Sequence, residues 1–236
     1  MVEDGIVWLD ACTSTNDEAA SRANDPRVLA VAATSQTQGR GRAGRSWHSP
    51  PNSGLYLSWI GRPSFPQALG SLIPLMAAVS VAEVCDSLDV TVSLKWPNDV
   101  LIEGRKLAGI LCEARGTPQA WTVVVGIGLN IFRPSSGYPE DIPAIALDER
   151  TDHPLDPKAI APAIVQRLDG HLRSLSRDGA APVLAAWERR GYPLGSSLRR
   201  GDIVGTFAGL TDEGALRLKT ETGIQTVHAG DVDIIA

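Results

Sequence analysis

One short stretch, residues 36–47 (Gln-Thr-Gln-Gly-Arg-Gly-Arg-Ala-Gly-Arg-Ser-Trp), limits the possible folds of this chain more than any other. It lies between two apolar runs, residues 28–33 and 55–60, which predicts a loop inside a folded domain. No Asp or Glu occurs between Pro26 and Ala82, although the formal net charge of the chain is -5. Arginine forks and flexible backbone N–H groups suit an anion such as phosphate or carboxylate. A mobile, solvated surface loop is the alternative interpretation.

Residues 39–47, which we call the arginine loop, overlap with three known binding motifs. Its glycines match the dinucleotide fingerprint G-x-G-x-x-G. Residues 39–46 also differ from the P-loop motif at only one position, where Arg45 replaces the lysine. Both motifs require a helix directly after the loop, whereas Pro50 and Pro51 follow here and the next acidic residue is Glu83. Neither motif therefore fits. An arginine-glycine arm for nucleic acid stays open, although such arms are usually longer and disordered.

The composition argues against several classes of function. A net charge of -5 and a pI near 5.4 disfavour nucleic-acid binding driven by overall charge. The three cysteines form no C-x-x-C pair and no zinc spacing with His, which predicts a reducing compartment and no structural metal: Cys12, Cys85 and Cys112. The N-terminus lacks the features of a signal peptide, and no apolar run approaches the ~20 residues of a membrane span. We therefore predict a soluble, cytoplasmic protein that binds no membrane.

Capping boxes predict where two of the helices begin. Thr15 and Glu18 begin a helix that runs to about residue 23, and the small polar groups at its start suit a polar, neutral ligand group. Ser64 and Gln67 begin a second, largely buried helix that reaches about residue 88 and is kinked at Pro74.

The middle of the chain predicts a β-hairpin and a central strand. Residues 100–102 and 107–111 form the hairpin around a turn at residues 103–104. The long apolar stretch 121–131 predicts a strand in the centre of the sheet. Three glycines in these strands leave space over the sheet, where a ligand or another backbone segment can approach: Gly109, Gly126 and Gly128.

Two more helices are predicted at residues 157–175 and 180–190, and the Gly-Tyr-Pro-Leu-Gly segment at 191–195 is the clearest domain boundary. Beyond it, short β patterns separated by turns predict a small five-strand, SH3-like barrel. The predicted fold class is α/β (α+β), with a mixed-sheet catalytic domain at residues 1–190 and the SH3-like domain at residues 191–236.

Charged residues around the hairpin indicate a chemistry. Asn98 and Asp99 follow Lys95 at the entrance of the hairpin, where a tight turn can hold a carboxylate for Mg²⁺. With Lys106 and the arginine loop, these groups can hold a substrate carboxylate against the α-phosphate of ATP, as an adenylation requires. A turn-forming Asp99 and a solvated Lys106 are the alternatives. The four histidines are scattered, and the sequence contains no arrangement typical of a catalytic nucleophile.

Four motifs, in this order, resemble those of the biotin protein ligases: G-R-G-R-x-G-R-x-W at residues 39–47, K-W-P-N-D at 95–99, G-R-K-L-A-G-I-L at 104–111 and G-I-G-L-N at 126–130. The resemblance covers nearly the whole chain. It implies a catalytic domain related to class II aminoacyl-tRNA synthetases, followed by an SH3-like domain. It also implies that biotin and MgATP give biotinyl-5′-AMP, and that a lysine of a biotin carboxyl carrier domain then takes the biotin.

The resemblance assigns roles to residues of this chain. The positions expected to bind biotin are Ser14, Thr15, Asn16, Gln36, Arg40, Gly41, Arg42, Lys106 and Gly109. The positions expected to bind ATP are Arg40, Arg45, Trp47, Lys95, Asn98, Asp99 and Asn130, and Asp99 is also the candidate magnesium ligand. The candidate catalytic residues are Lys106, at the biotin carboxylate, and Arg42, in a loop that retains the reactive intermediate.

Two features depart from the family pattern, and two other functions stay open. Asn52 stands where the family often has glycine, and Asn tolerates the left-handed conformation. The residues before Ile6 are too few for the helix-turn-helix of bifunctional members, so the resemblance predicts a monofunctional ligase without DNA binding. A lipoate or octanoate ligase is the alternative enzyme. A nucleic-acid-binding module that uses the arginine loop and the barrel is the alternative from another class.

Overall fold

A computed structural model describes residues 2–118, 120–139 and 143–235, which form four α-helices and two β-sheets. The helices are α1 (Thr15–Ser21), α2 (Leu72–Asp86), α3 (Pro157–Asp178) and α4 (Ala181–Glu188). The strands of the larger sheet are β1 (Val2–Glu3), β2 (Ile6–Leu9), β3 (Ala30–Ala33), β4 (Gly54–Gly61), β5 (Ser93–Lys95), β6 (Asp99–Ile102), β7 (Arg105–Thr117) and β8 (Ala120–Asn130). The strands of the smaller sheet are β9 (Ser197–Arg200), β10 (Ile203–Leu210), β11 (Leu216–Thr220), β12 (Gly223–Val227) and β13 (Asp233–Ile234). None of the helices described is long and apolar enough to cross a membrane.

The larger sheet runs in the order β1-β2-β3-β4-β8-β7-β6-β5. Strands β2 and β3 are parallel and the other neighbours are antiparallel, so the sheet is mixed, as predicted. The apolar strand β8 lies between β4 and β7, which confirms the predicted central strand. Helices cover both faces of the larger sheet. Helices α2 and α3 pack on the face that includes Leu57 and Trp59, and α1 packs on the face that includes Val31 and Val124.

The predicted capping box at the start of α1 is wrong. Ser14 is the N-cap residue, and its side chain makes no capping hydrogen bond. The backbone N–H and the hydroxyl of Thr15 instead donate to Gln36 Oε1, at 2.8 Å and 3.1 Å. The first residues of a helix have free N–H groups, and here a side chain from a distant loop takes one of them. The start of α1 is thereby joined to the segment that leads into the arginine loop.

The second predicted helix begins later than the capping box indicated. Residues Gln67–Leu69 form a 3-10 turn, and α2 begins only at Leu72. The reason is a tertiary contact, because the backbone N–H of Gln67 donates to the carbonyl of Pro118 in the β7–β8 connection. Pro74 is therefore the third residue of α2, where its missing N–H interrupts no helical hydrogen bond, and the expected kink was wrong.

The predicted hairpin is confirmed, and its turn has the expected backbone. Glu103 and Gly104 join β6 to β7 with φ angles of 51° and 75°, the positive values that a two-residue hairpin turn requires. Asn52 has a φ of 59°, so it adopts the left-handed conformation expected of a residue that replaces glycine.

The smaller sheet is antiparallel throughout and runs in the order β12-β11-β10-β9-β13. It packs on the larger unit through one shared core, in which the rings of Trp187, Tyr192 and Phe207 meet edge to face at centroid distances of 5.5 to 6.4 Å. The predicted domain boundary between residues 190 and 191 and the SH3-like character of this sheet remain predictions.

The turn at residues 95–99 is fixed by its tryptophan. Trp96 is buried, and its indole N–H donates to the carbonyl of Gly214 at 3.0 Å. Its backbone N–H donates to the hydroxyl of Tyr192 at 3.1 Å. Because buried polar groups need partners, these bonds hold the turn against the smaller sheet. They position the charged residues on either side of Trp96.

Candidate active site

A cleft of about 540 Å³ lies over strands β7 and β8, beside the start of α1. The arginine loop, the 95–99 turn and two carboxylates next to β13 form its other walls. All residues that the sequence assigned to a binding or catalytic role line this one cleft: Ser14, Thr15, Asn16, Gln36, Arg40, Gly41, Arg42, Arg45, Trp47, Lys95, Asn98, Asp99, Lys106, Gly109 and Asn130. His48 also lines the cleft, although no role was assigned to it from the sequence.

One end of the cleft is an uncharged pocket, which we call the polar pocket: Ser14, Thr15, Asn16 and Gln36, with the fully buried Ser58 behind them. The exposed fractions of Ser14, Thr15 and Asn16 are only 2%, 4% and 4%. Ser58 Oγ lies 2.6 Å from Asn16 Oδ1 and 2.8 Å from Thr15 Oγ1. Gln36 Nε2 donates to Ser49 Oγ at 3.0 Å, which fixes the amide that caps α1. The donors and acceptors of the pocket are thus held in place before any ligand arrives.

Two carboxylates support the polar pocket from the solvent side. Glu113, on β7, accepts a hydrogen bond from Asn16 Nδ2 at 2.8 Å. Arg40 binds Asp17 with two hydrogen bonds of 2.7 and 2.9 Å and reaches Glu113 at 3.3 Å. The hydrogen bond from Arg40 holds the pKa of Asp17 below its ordinary value, and the pKa of Arg40 is raised in turn. Arg40 is therefore attached to the pocket wall and stays charged.

The glycines of the two strands make room for side chains of the chain itself. A Cβ on Gly126 would lie 3.0 Å from Asn16 Cγ, and one on Gly128 would lie 2.7 Å from Trp47 Cζ2. A Cβ on Gly109 would lie 2.8 Å from Trp47 Cζ3. The sequence predicted the close approach but left open what approaches. The structure shows that the indole and the amide lie on these glycines and form part of the cleft surface.

Lys106 lies at the centre of the cleft, between its polar and its charged ends. Its Nζ is 2.7 Å from Asp99 Oδ1, in an ion pair that lacks the alignment of a hydrogen bond. The ammonium also lies 5.5 Å from the centre of the Trp47 ring, a distance typical of a cation–π contact. Asn130 donates to the carbonyls of Lys106 and Ile145, at 3.2 and 3.1 Å, and so fixes the strand that carries the lysine.

The arginine loop is ordered over the charged end of the cleft. Residues Arg42–Gly44 form a 3-10 turn, in which the backbone N–H of Gly41 donates to the carbonyl of Arg45 and the N–H of Arg45 donates to the carbonyl of Arg42. Arg42 donates to Asn98 Oδ1 at 2.8 Å, and Asn98 Nδ2 donates to the carbonyl of Ile110 at 2.8 Å. The loop is thus joined to the sheet through Asn98, whereas the sequence had left open a mobile surface loop.

The smaller sheet contributes two carboxylates to the cleft. Asp231 accepts from Arg42 at 3.4 Å and forms a close ion pair with Arg45. Asp233 pairs with Lys95 Nζ at 3.0 Å. These two residues, together with Ser58, Asp17 and Glu113, were not predicted from the sequence. Asp17 follows the predicted Asn16, and Glu113 lies two residues after the predicted strand 107–111. Nothing in the local sequence marks Ser58, Asp231 or Asp233.

Three buried polar atoms of the cleft have no hydrogen-bond partner among the described residues: the indole Nε1 of Trp47, the hydroxyl of Tyr138 and Asp99 Oδ1. Asp99 Oδ1 is paired with the Lys106 ammonium, whereas the other two atoms are donors without an acceptor. Burial raises the pKa of Tyr138, and the carboxylates of Glu149 and Asp148 add to the effect, so the phenol stays protonated and can donate. Unsatisfied buried donors cost free energy, and a ligand with acceptor atoms would satisfy them.

A magnesium ion fits this cleft if one carboxylate of the protein and the substrate phosphates hold it together. No group of three or more His, Cys, Asp or Glu residues that could hold a metal occurs within residues 2–118, 120–139 and 143–235. The cleft carboxylates Asp99, Asp231 and Asp233 each pair with a cation of the chain. Mg²⁺ commonly keeps most of its water and takes one or two carboxylates together with substrate phosphates. Asp99 fits that role, but a cage built by the protein does not.

The cysteines offer no nucleophile to this cleft. Burial raises the pKa of Cys12 to about 11 and the pKa of Cys85 to about 12, so both thiols stay protonated at neutral pH. They are free thiols.

Comparison with known protein families gives two matches that together span most of the chain. Residues 9–130 match the biotin/lipoate A/B protein ligase family, and residues 197–234 match the biotin protein ligase C terminal domain. The first match includes the arginine loop, the 95–99 turn and strands β3 to β8. The second includes β9 to β13, the part that carries Asp231 and Asp233.

Individual proteins and solved structures resemble the chain over nearly its whole length. It is 31% identical to the bifunctional ligase/repressor BirA of Bacillus subtilis (strain 168), over 97% of this chain and 74% of that protein. It is 33% identical to the biotin–(acetyl-CoA-carboxylase) ligase of Paracoccus denitrificans, over 93% of this chain and 96% of that protein. The structure of biotin protein ligase from Aquifex aeolicus in complex with biotin and ATP matches with a TM-score of 0.80 and 28% identity, over 98% of both chains.

Proposed function

The chain belongs to the biotin/lipoate A/B protein ligase family, and on this premise we propose that its cleft binds biotin at the polar pocket and ATP at the charged end. It is a biotin ligase, which activates biotin with ATP and transfers it to a carrier protein. One observation carries the assignment of residues: a single cleft of about 540 Å³ holds a neutral pocket and a cluster of cations, and Lys106 lies between them.

The polar pocket suits the ureido ring of biotin, which is neutral and carries both donors and acceptors. A buried site built to form hydrogen bonds with such a group rejects analogues that lack it, because its own polar atoms would then lose their partners. Thr15, Asn16 and Gln36 provide these atoms, and Ser58 and Glu113 hold them in place. A biotin ring bound in this pocket would direct its carboxylate toward Lys106.

Lys106 acts where the two substrates meet. In the first step, an oxygen of the biotin carboxylate attacks the α-phosphorus of ATP, and the bond from that phosphorus to the oxygen bridging to the β-phosphate breaks. Pyrophosphate leaves, and biotinyl-5′-AMP remains. The Lys106 ammonium offsets the repulsion between carboxylate and phosphate and stabilises the charge on the transferring group. Asp99 and Trp47 hold the ammonium in this position.

The charged end of the cleft suits the triphosphate and the nucleoside. Arg45 and Lys95 provide cations for the phosphates, and Arg42 closes the arginine loop over them. Trp47 and Asn130 form the wall beside the nucleoside. Mg²⁺ that arrives with ATP and contacts Asp99 would balance the charge of the leaving pyrophosphate.

The second step takes its nucleophile from the partner. The neutral ε-amine of a lysine on the carrier domain attacks the acyl carbon of the adenylate, the bond to the phosphate oxygen breaks, AMP leaves, and the amine loses a proton. The mixed anhydride hydrolyses readily in water, so a closed loop that excludes water protects it until the amine arrives. We propose that the carrier domain belongs to a biotin-dependent carboxylase.

The first test is biotin-dependent exchange of labelled pyrophosphate into ATP, with wild type, Lys106→Ala and Lys219→Ala side by side. Lys219, an exposed residue of β11 outside the cleft, is the matched control. We expect Lys106→Ala to lose about 10²- to 10³-fold in exchange rate, and the control to stay within about twofold of wild type.

Three outcomes distinguish the function from the site assignment. A selective loss in Lys106→Ala supports both. Exchange that survives this substitution keeps the function and overturns the role of Lys106. Exchange with lipoate or octanoate, but none with biotin, would assign the chain to the lipoate branch of the family.

A further inference from the structure

The tip of the arginine loop has no apolar anchor. None of the residues Arg42–Gly44 is buried, and the neighbouring Gly41 and Arg45 are not buried either. Ala43 adopts a φ of 53°, a left-handed conformation that is uncommon for a residue other than glycine. Such a conformation persists when the surrounding structure holds it in place. Polar contacts must therefore keep this segment over the cleft.

Two groups outside the loop hold the two arginines at its tip, Arg42 and Arg45, and each unit of the fold supplies one of these groups. Asn98, next to β6, accepts a hydrogen bond from Arg42 at 2.8 Å. Asp231, next to β13, receives both Arg42 and Arg45, with Oδ1 facing the first guanidinium and Oδ2 the second. A single carboxylate thus joins two side chains of the loop that are three residues apart.

The position of Asp231 is fixed by the smaller sheet. The next residue, Val232, is fully buried in the shared core. Asp233 follows in β13, pairs with Arg199 of β9 in the sheet register and binds Lys95 through its side chain. The carboxylate of Asp231 therefore projects from a well-held backbone. The carboxylate can therefore stay in place when the loop moves.

We propose that Asp231 is a positioning residue that clamps the arginine loop closed over the cleft from the C-terminal sheet. This inference rests on the proposed function, because the loop is assigned there to retain the activated intermediate. The clamp makes that retention depend on the smaller sheet. Loss of the carboxylate leaves Asn98 as the only group outside the loop, among the described residues, that holds Arg42 or Arg45.

Hydrogen exchange of the loop amides tests the clamp without reference to catalysis. The N–H groups of Gly41, Arg45 and Trp47 form hydrogen bonds within the loop and report its opening. In ligand-free Asp231→Asn, we expect these amides to exchange about two- to tenfold faster than in wild type, the range for two half-exposed ion pairs. The amides of β8 serve as an internal reference and should exchange at the wild-type rate.

Two further variants define the role of the carboxylate. Asp202→Asn changes an exposed aspartate of the same sheet that forms no ion pair within the described ranges, and its loop should exchange as in wild type. Asp231→Glu keeps the charge and should restore most of the protection. Equal loop exchange in Asp231→Asn and wild type overturns the proposal, and so does an equal increase in Asp202→Asn.

The reaction provides a second readout. With biotin and labelled ATP, we expect Asp231→Asn to release a two- to tenfold larger fraction of biotinyl-5′-AMP into the filtrate than wild type. Pyrophosphate exchange should change less, since the clamp does not contact the reacting carboxylate. If wild type shows no biotin-dependent exchange, the proposed function fails, and the hydrogen-exchange result still decides whether Asp231 clamps the loop.

Discussion

Gly126→Ala would test the polar pocket by adding a single methyl group. The new Cβ would overlap Asn16 Oδ1 and lie 3.0 Å from Asn16 Cγ. Asn16 has little freedom to move, because Ser58 Oγ lies 2.6 Å from its Oδ1 and Glu113 accepts from its Nδ2 at 2.8 Å. The backbone at Gly126 is not in the left-handed region, so alanine is acceptable except for this contact.

The size of the effect follows from the bonds that Asn16 must break. Overpacking a filled site costs about 1–3 kcal/mol, and a buried polar group left without its partner costs about 1–3 kcal/mol. We therefore expect the free energy of unfolding to fall by about 1–3 kcal/mol. If Asn16 also contacts the ureido ring, biotin affinity falls about 10- to 100-fold, because every 1.4 kcal/mol is a factor of about ten. ATP affinity should stay within about twofold.

Gly170→Ala is the matched control for this substitution. Gly170 lies within α3, and a Cβ there meets no atom within 4 Å. Alanine should stabilise the helix by about 0.5–1 kcal/mol and leave both ligands unaffected. Calorimetric titration with biotin and with a non-hydrolysable ATP analogue gives the two affinities, and denaturant unfolding gives the stability. Wild-type biotin affinity in a destabilised Gly126→Ala would show that Asn16 lies outside the biotin site.

Two further substitutions test ion pairs that the structure assigns to the fold and to the pocket wall. Burial raises the pKa of Glu83, but hydrogen bonds from His171 and Arg167 outweigh it and leave this pKa below its ordinary value. The contribution of Glu83 to stability is therefore complete above its unfolded pKa and is lost as the pH falls through the lowered folded pKa. In urea unfolding at pH 7, the free energy of unfolding of Glu83→Gln should be about 1 kcal/mol below that of wild type. Near pH 3 the two free energies should become similar. A difference that stays the same at both pH values would contradict this account. Asp17→Asn should lower the free energy of unfolding by less than about 1 kcal/mol, since the Asp17 carboxylate is half exposed. It should still raise the KM for biotin about two- to fivefold, because Arg40 loses its main partner. An unchanged KM would show that Arg40 does not support the biotin pocket.

Sequence patterns predicted the strands and the binding motifs better than the helix starts. The alternation and length of the apolar runs predicted β8 as the central strand, and Glu103 and Gly104 predicted the hairpin turn. The capping boxes failed at both helices for one physical reason. A free N–H at the start of a helix can be satisfied by any nearby acceptor, and here Gln36 and the carbonyl of Pro118 supply tertiary partners.

The site was predictable as far as its residues occur in short contiguous motifs. The arginine loop and the 95–99 turn carry several functional side chains each, so the spacing of residues was informative. Ser58, Asp231 and Asp233 act through contacts with residues 42 or more positions away. Their local sequences are those of an ordinary strand and an ordinary acidic turn. Such pairings depend on the packing of the two sheets, which one sequence does not specify.

The two ends of the cleft are held by different kinds of interaction, and this difference matters for catalysis. The polar pocket consists of buried neutral groups that satisfy one another, so it can bind without rearrangement. The charged end is held by ion pairs in which Arg45 and Asp231 remain 62% and 49% exposed. Exposed ion pairs contribute little net stability, so the arginine loop can open and close over the charged end at small cost. A rigid pocket at one end and a loop held by weak ion pairs at the other suit an enzyme that must close over a reactive intermediate and then open again.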